Sequence, residues 1–164
     1  MATDNKDNKK KDRFKNKIEI VNRKAKFDYE FIETEVAGIV LTGTEIKSIR
    51  EGRASLVDTY CYINPQMEMY AKNIHIAKYE DGTYLNHEER RDRKLLLTKR
   101  QLRRFLAESK NPRMTIVPVK MFINDKGLCK VLIALAQGKR EYDKRETIKE
   151  NDTRRELDRA RKNF

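Results

Sequence analysis

The segment that most constrains the fold runs from Met114 to Gly138. Two long arms, rich in β-branched and aliphatic residues, are joined by Asn-Asp-Lys-Gly at 124–127, which is typical of a β-hairpin. Pro118 lies inside the first arm. Because proline cannot donate a hydrogen bond to a neighbouring strand, it predicts an edge position or a β-bulge there. The segment therefore predicts one long antiparallel strand pair.

Shorter apolar runs predict further strands. Residues 27–41 alternate apolar and charged side chains and then become wholly apolar, which we interpret as two strands. Residues 60–76 resemble a second hairpin that turns at Asn64-Pro65-Gln66. Regular patterning stops between Tyr79 and Lys94, where we expect a long loop.

Two segments have helical spacing. After Thr44, taken as the N-cap, isoleucines recur three residues apart until Gly52 ends the pattern. Thr98 and Gln101 predict a capping box for a second helix, which ends before Pro112. Many short strands with few covering helices favour a mainly β fold. We expect a small antiparallel β-barrel of the OB-like type with short flanking helices.

The chain divides into three parts. Residues 1–17 are rich in Lys, Asn and Asp, and we expect a disordered basic extension. Residues 18–137 hold the predicted barrel, and residues 138–164 form a basic tail. Beyond Ile148 the apolar residues of the tail are Leu157, Ala160 and Phe164.

The tail has many helix formers but little apolar surface to bury. Opposite charges recur in it at helical spacing, as with Glu150 and Arg154. We therefore expect it to be disordered in the free protein and helical once a polyanionic partner neutralises its cations. An isolated helix that is always formed is the alternative.

Positive charge is concentrated in particular segments. The formal net charge is +12 and the pI is about 9.7. Residues 25–89 carry 6 Lys or Arg against 12 acids, whereas residues 90–110 carry 9 against 2. Such local charge indicates a polyanionic partner, with nucleic acid first and an anionic membrane surface second.

Composition argues against several other classes. No apolar run approaches the ~18 residues of a membrane span, so we expect a soluble cytoplasmic protein with no membrane partner. Cys61 and Cys129 lie singly in apolar runs and the only histidines are His75 and His87, so ligands for zinc are lacking. We interpret the cysteines as reduced core thiols and expect no metal and no cofactor.

No catalytic motif is present. Neither histidine lies in a nucleophile motif, and there is no glycine-rich phosphate loop. We expect no enzyme and assign no catalytic residue. The enzymatic alternative is a metal-dependent nuclease built from Glu45, Asp58 and His87.

Two basic clusters favour nucleic-acid binding. NRKAK at 22–26 and ERRDRK at 89–94 are expected in loops beside strands, where guanidinium groups can hold phosphates. Aromatic and amide side chains, including Tyr79 and Tyr84, precede the second cluster and can stack on bases. The alternatives are a solvated charge run or a general OB-type binder of single strands.

Several stretches together resemble the SsrA-binding protein family, also called small protein B. They are NRKA, AGIVLTGTEIKSIR, RRDRKLLL, IALA and YDKRETIKE, in a consistent order between Asn22 and Glu150. The resemblance implies an OB-like barrel that binds the tRNA-like domain of transfer-messenger RNA (tmRNA) and escorts it to stalled ribosomes. It also implies that the tail becomes helical in the empty mRNA channel. We expect a monomer.

The resemblance also implies which residues meet RNA. Those at or near tmRNA are Asn22, Arg23, Lys24, Gly43, Glu45, Lys47, Ser48, Arg50, Asn86, His87, Arg90, Arg91, Arg93 and Lys94. Those in the ribosome-facing tail are Gly138, Lys139, Arg140, Tyr142, Asp143, Lys144, Arg145, Ile148 and Lys149. A carboxylate such as Glu45 would accept a hydrogen bond from a base amino group or a ribose hydroxyl. Its alternative role is to place a negative charge at the N-terminus of a helix. Tyr142 stands where many relatives have His. A tyrosine ring can still stack on a base, but it cannot become a cation near neutral pH as an imidazole can.

Overall fold

The computed structural model describes residues 18–162, so the disorder predicted for residues 1–17 lies outside the described part. Nine strands and four helices occur within it. The strands are β1 Glu19–Val21, β2 Tyr29–Ile39, β3 Ala54–Ser55, β4 Tyr60–Ile63, β5 Met69–Lys72, β6 His75–Ile76, β7 Arg93–Leu96, β8 Met114–Ile123 and β9 Cys129–Gly138. The helices are α1 Arg23–Asp28, α2 Gly43–Arg50, α3 Lys99–Ser109 and α4 Glu141–Lys162.

Six strands close into a ring. β8 pairs with β4 and β9, β9 with β2, β2 with β7, β7 with β5, and β5 with β4, and every pair is antiparallel. β1 adds to β8, and β3 with β6 forms a separate two-stranded sheet. The predicted fold class, mainly β and antiparallel with short helices, is confirmed, and the ring of pairings makes it a barrel.

The β8–β9 hairpin is the longest local unit and follows the sequence prediction. Its turn places Gly127 at a φ of 77°, a left-handed conformation that glycine adopts without strain. The Asn124 side chain closes the turn by accepting from the backbone N–H of Leu128 at 2.8 Å. The register of the pair shifts between Pro118 and Lys120, so the bulge predicted at the proline is present.

Apolar side chains fill the barrel interior. The largest fully buried ones are Ile49, Leu56, Met69, Ile74, Ile76, Phe105, Met121, Ile133 and Leu135. Cys61 and Cys129 belong to the same cluster and are unpaired. Burial raises the pKa of each thiol to about 12, so both stay protonated at neutral pH.

Three local predictions were wrong. Residues 27–41 contain one long strand, β2, because a bulge between Phe31 and Glu33 lets it continue where two strands were expected. The segment after Asn22 is helix α1 and not a loop. Asn22 caps it by accepting from the Ala25 N–H at 3.1 Å.

The third correction concerns the start of α2. Thr42 and not Thr44 is its N-cap. Glu45 therefore occupies the third helical position, where its carboxylate accepts from the Thr42 backbone N–H at 2.8 Å. The predicted end of this helix agrees, since Gly52 follows it at a φ of 76°.

Strand β2, with 11 residues, is the longest strand in the described part of the chain. At its first residue, Tyr29, it pairs with Gly138, from which the tail departs. At its last residue, Ile39, it pairs with Leu95 and leads into α2. Ten steps of about 3.3 Å separate these ends by roughly 33 Å. The tail and α2 therefore lie at opposite ends of β2.

No helix within residues 18–162 has both the length and the apolar character that crossing a bilayer requires.

Candidate nucleic-acid interface

The long loop of residues 77–92 contains no helix or strand and is held by one buried arginine. Arg93, the first residue of β7, is 0% exposed. Its guanidinium donates to backbone carbonyls of Ile74 at 2.6 Å, Arg91 at 3.1 Å, Glu89 at 3.2 Å and Glu88 at 3.3 Å. A buried arginine requires such partners for its donors. Arg93 therefore fixes the path of the loop as it enters β7.

The Glu45 carboxylate joins α2 to this loop. It accepts from Arg91 through both oxygens, with Nε and Nη2 each at 2.7 Å, in the bidentate geometry typical of strong ion pairs. It also accepts from Arg93 Nε at 2.9 Å. Glu45 is 0% exposed. One buried carboxylate thus lies between two guanidinium groups, and the three side chains together carry one formal positive charge.

The electrostatics keep this cluster ionised. Burial raises the pKa of the Glu45 carboxyl. The hydrogen bonds from Arg91 and from the Thr42 N–H, together with the charge of Arg93, lower that pKa by more than burial raises it. The net pKa lies below its usual value. Burial lowers the pKa of Arg93, and the charge and hydrogen bond of Glu45 oppose that shift.

Asn86 and His87 fold the loop onto itself. The Asn86 side chain donates to the Tyr79 carbonyl at 2.8 Å and accepts from the Tyr79 N–H at 3.2 Å. The ring of His87 lies between Thr44 Oγ1, at 2.9 Å from Nδ1, and the Ile76 carbonyl, at 3.1 Å from Nε2. Because a carbonyl oxygen can only accept, Nε2 is the donor. These two side chains therefore serve the conformation of the loop.

The tip of the loop presents apolar surface to solvent. Tyr84 is 92% exposed and Leu85 is 76% exposed. Around them an open groove is lined by Lys78, Gly82, Thr83, Tyr84, Asn86, His87, Glu88, Glu89 and Arg90. Lys47, on α2, places its ammonium 5.3 Å from the centre of the Tyr79 ring. The loop and α2 thus combine exposed aromatic surface with cations.

The residues expected at tmRNA separate into two groups. Five have buried side chains: Asn22, Glu45, Ser48, His87 and Arg93. Nine are exposed or partly exposed: Arg23, Lys24, Gly43, Lys47, Arg50, Asn86, Arg90, Arg91 and Lys94. In this conformation the first group supports the surface, and only the second can touch a ligand.

Some exposed cations of this set already have partners. Lys24 pairs with Asp58 at 2.6 Å, and Lys94 pairs with Glu68. Arg90 donates to the Asn73 side chain at 2.7 Å. The structure brings α2 and the loop together through Glu45, whereas Arg23 and Lys24 lie on α1, at the start of β2.

The tail leaves the barrel at the other end of β2. Gly138 is the last residue of β9, and the next residue, Lys139, donates its backbone N–H to the Asp28 carbonyl at 2.9 Å. Helix α4 follows, and none of its described side chains is buried. Lys144 pairs with the Asp28 carboxylate at 3.1 Å. The disorder expected for the free tail stays a prediction.

Sequence reasoning missed part of this surface. The sequence predicts base stacking for Tyr84 but does not place it among the residues at tmRNA, and it gives no signal for Leu85. A single apolar residue in a polar loop belongs to no periodic pattern, so only its exposure in the fold reveals it. The burial of Glu45 was missed for a related reason, because its two arginine partners lie 46 and 48 residues away.

Comparison with known proteins gives consistent matches. The family model described as SmpB protein matches residues 19–163. The SsrA-binding protein of Phocaeicola vulgatus is 63% identical over 142 residues, which cover 87% of this chain and 94% of that protein. The SsrA-binding protein of Bacteroides thetaiotaomicron is 58% identical over 140 residues, covering 85% and 93%.

A more distant relative and a solved structure agree with these matches. The SsrA-binding protein of Enterococcus hirae is 51% identical over 143 residues, covering 87% of this chain and 92% of that protein. A chain in the solved structure described as "tmRNA-SmpB: a journey to the center of the bacterial ribosome" superposes with a TM-score of 0.65. It is 43% identical, and the match covers 80% of this chain and 94% of that one.

Proposed function

The chain belongs to the SmpB family, and on this basis we propose that it binds the tRNA-like domain of tmRNA and delivers it to stalled ribosomes for trans-translation. The observation that carries the proposal is the family match over residues 19–163, with SsrA-binding relatives up to 63% identical. The structural neighbour, by its description, concerns tmRNA, SmpB and the bacterial ribosome. The partners we propose are therefore tmRNA and ribosomal RNA.

The proposed tmRNA surface consists of α2 and loop 77–92, and we call it the α2–loop surface. Lys47, Arg90 and the exposed part of Arg91 supply positive charge for phosphate oxygens. Tyr84 supplies a ring on which an unstacked base of a folded RNA can stack. Glu45 and Arg93 act beneath these side chains and hold them in place.

The proposed role of the tail is to enter an RNA-walled channel on the ribosome. The tail residues named from the family resemblance lie at the start of α4 or just before it, and Tyr142 is 70% exposed. Because no described side chain of α4 is buried against the barrel, the helix offers most of its surface to a partner, apart from the side where Lys144 pairs with Asp28. Stacking by Tyr142 needs no protonated ring.

We propose that the protein acts without catalysis. Within residues 18–162 no group of three His, Cys, Asp or Glu side chains is arranged to hold a metal ion. The residues considered for a nuclease have other partners: Glu45 pairs with Arg91, Asp58 with Lys24, and His87 with Thr44. Incubation of RNA with the pure protein and magnesium is the direct test, and cleavage would contradict the proposal.

The RNA proposal is tested by binding of a labelled tRNA-like domain to the full chain. We expect binding that withstands excess single-stranded RNA and weakens by roughly 10³-fold between 50 and 200 mM salt if about six phosphates are contacted. Displacement by any single strand would instead support a general OB-type binder.

The stacking part of the proposal is tested at Tyr84. Tyr84→Ala should weaken binding of the tRNA-like domain by roughly 5- to 150-fold, the range for loss of one stacked base. Tyr84→Phe keeps the ring and should bind as the wild type does. Equal affinity of all three proteins would remove Tyr84 from the interface, while loss of binding by both variants would indicate that its hydroxyl is what matters.

A further inference from the structure

Helix α3 has a positively charged face that none of the contacts proposed above uses. Its apolar side chains, Leu102 and Phe105, are buried in the barrel core, and the helix packs on β8 and β9. Its exposed cations are Lys99, Arg100, Arg103 and Arg104. The only acidic residue of the helix is Glu108. The sequence of α3 therefore places an apolar side on the barrel and a cationic side in solvent.

One of these four cations forms ion pairs with the barrel, and the other three do not. Arg104 pairs with Glu33 at 2.8 Å and with Glu35 at 3.2 Å, both on β2. Lys99, Arg100 and Arg103 form no ion pair within residues 18–162. Unpaired exposed cations in a row on one rigid element are a typical footprint for a polyanion.

Three unpaired cations lie in a row along α3 and the residue that follows it. At about 100° per residue, Lys99, Arg103 and Lys110 fall within roughly 40° of one another around the axis. Lys110 directly follows the last residue of α3. The row is about 16 Å long at 1.5 Å per residue. We call these three residues, with Arg100 and Arg113, the α3 ridge.

The α3 ridge leads to the base of the tail. Arg113 precedes Met114, the first residue of β8, which pairs with Gln137. Arg113 and Arg140 line one surface depression together with Gln137 and Gly138. Two guanidinium groups thus lie beside the point where the tail leaves the barrel, with no acidic side chain in the lining. The α2–loop surface lies at the other end of β2.

We propose that the α3 ridge is a second RNA-binding surface, separate from the α2–loop surface, which holds the phosphate backbone of ribosomal RNA beside the point where the tail leaves the barrel. This inference rests on the proposed function. A row of cations about 16 Å long matches the evenly spaced phosphates of a nucleic-acid backbone, which favours RNA over the scattered carboxylates of a protein surface. Guanidinium forks can hold those phosphate oxygens bidentately. The ridge has no exposed large apolar side chain that could insert into a membrane.

The test compares two variants that each lose two positive charges. Arg103→Gln/Arg113→Gln removes unpaired cations of the ridge. Lys72→Gln/Lys126→Gln removes two other exposed and unpaired cations of the described chain. Each full-length protein is titrated with purified bacterial ribosomes over a range of salt concentrations, and separately with the tRNA-like domain. Thermal unfolding checks that both variants remain folded.

We expect the ridge variant to bind ribosomes about tenfold more weakly, with the slope of log K against log salt reduced by about two. Its affinity for the tRNA-like domain should stay within twofold of the wild type, and the control variant should bind ribosomes normally. Equal weakening in both variants would overturn the inference, because total charge alone would then explain it.

Two other results would also overturn it. Weaker ribosome binding with an unchanged salt slope would mean that the ridge contacts protein and not phosphate. Loss of affinity for the tRNA-like domain would make the ridge part of the first RNA surface. Failure of the proposed function has a different signature, because wild-type protein itself would then fail to retain the tRNA-like domain.

Discussion

At the scale of single residues, the side chains that matter most are charged and buried. Glu45 and Arg93 are both fully buried, and their hydrogen bonds join α2, loop 77–92 and β7. Burying such groups is costly unless every charge has a partner. This cluster meets that requirement, so removing one of its members should lower the free energy of unfolding far more than breaking an exposed ion pair does.

We expect Glu45→Gln to lower the free energy of unfolding by roughly 3 kcal/mol, because two guanidinium groups lose their common carboxylate. The estimate is at the low end of the range since Arg91 is partly exposed. Urea denaturation measures the change. Glu68→Gln, which breaks the partly exposed pair with Lys94, is the control and should have a much smaller effect. Similar losses in both variants would contradict the role assigned to Glu45.

The same carboxylate predicts a pH dependence. The folded-state pKa of Glu45 lies below its unfolded value, which is about 4.3 for a free glutamate. Its contribution is therefore fully present above about pH 4.3 and is lost as pH falls through the lower folded-state pKa. In urea denaturation from pH 6 to pH 2.5, the stability difference between wild type and Glu45→Gln should narrow only below about pH 4. A constant difference over that range would show that Glu45 does not titrate in this way.

At the scale of secondary structure, signals confined to a few neighbouring residues were readable from the sequence. The capping box at Thr98 and Gln101 and the bulge at Pro118 follow from local chemistry and are present. β1 and α1 are only three and six residues long, too short for a periodic pattern to show. The interior position of His87 depends on Thr44, 43 residues away, and no local pattern reveals such a contact.

The tail helix is the element with the weakest attachment to the barrel. It buries no described side chain, and Lys144 with Asp28 is the ion pair that ties it to α1. Truncation after Arg140 should therefore change the melting temperature by no more than about 2 °C, as expected for loss of surface contacts. Thermal unfolding followed by circular dichroism measures it. A large drop would mean that the tail packs on the barrel in solution.

At the scale of the whole molecule, the two proposed functions are separated along β2. The α2–loop surface follows the end of this strand, and the tail departs beside its start. A substitution in the tail should therefore impair the protein's action on the ribosome without changing its affinity for tmRNA. This separation could not be predicted from the sequence, because it depends on which strands pair and in what register.

Replacement of Asp143, Lys144 and Arg145 by Ala should leave affinity for the tRNA-like domain unchanged. It should abolish trans-translation, which is followed as the tagging of stalled peptides. Binding and tagging are measured in parallel in a reconstituted translation system. Asp28→Ala is the matched control, because it breaks the Lys144 ion pair from the barrel side and keeps the tail chemistry. If Asp28→Ala also abolished tagging, the orientation of the helix would be the decisive property. Loss of affinity for the tRNA-like domain in the triple variant would contradict the proposed separation of the tmRNA surface from the tail.

The closed ring of strands has a consequence for association. In an open sheet, the outermost strands leave backbone N–H and C=O groups free, and a second chain can pair with them and start aggregation. Here each of the six ring strands has a partner strand on both sides, and the strand added outside the ring, β1, has three residues. A protein this rich in charge thus leaves none of its six ring strands with a wholly unpaired edge for a second chain, and its selectivity is left to side chains.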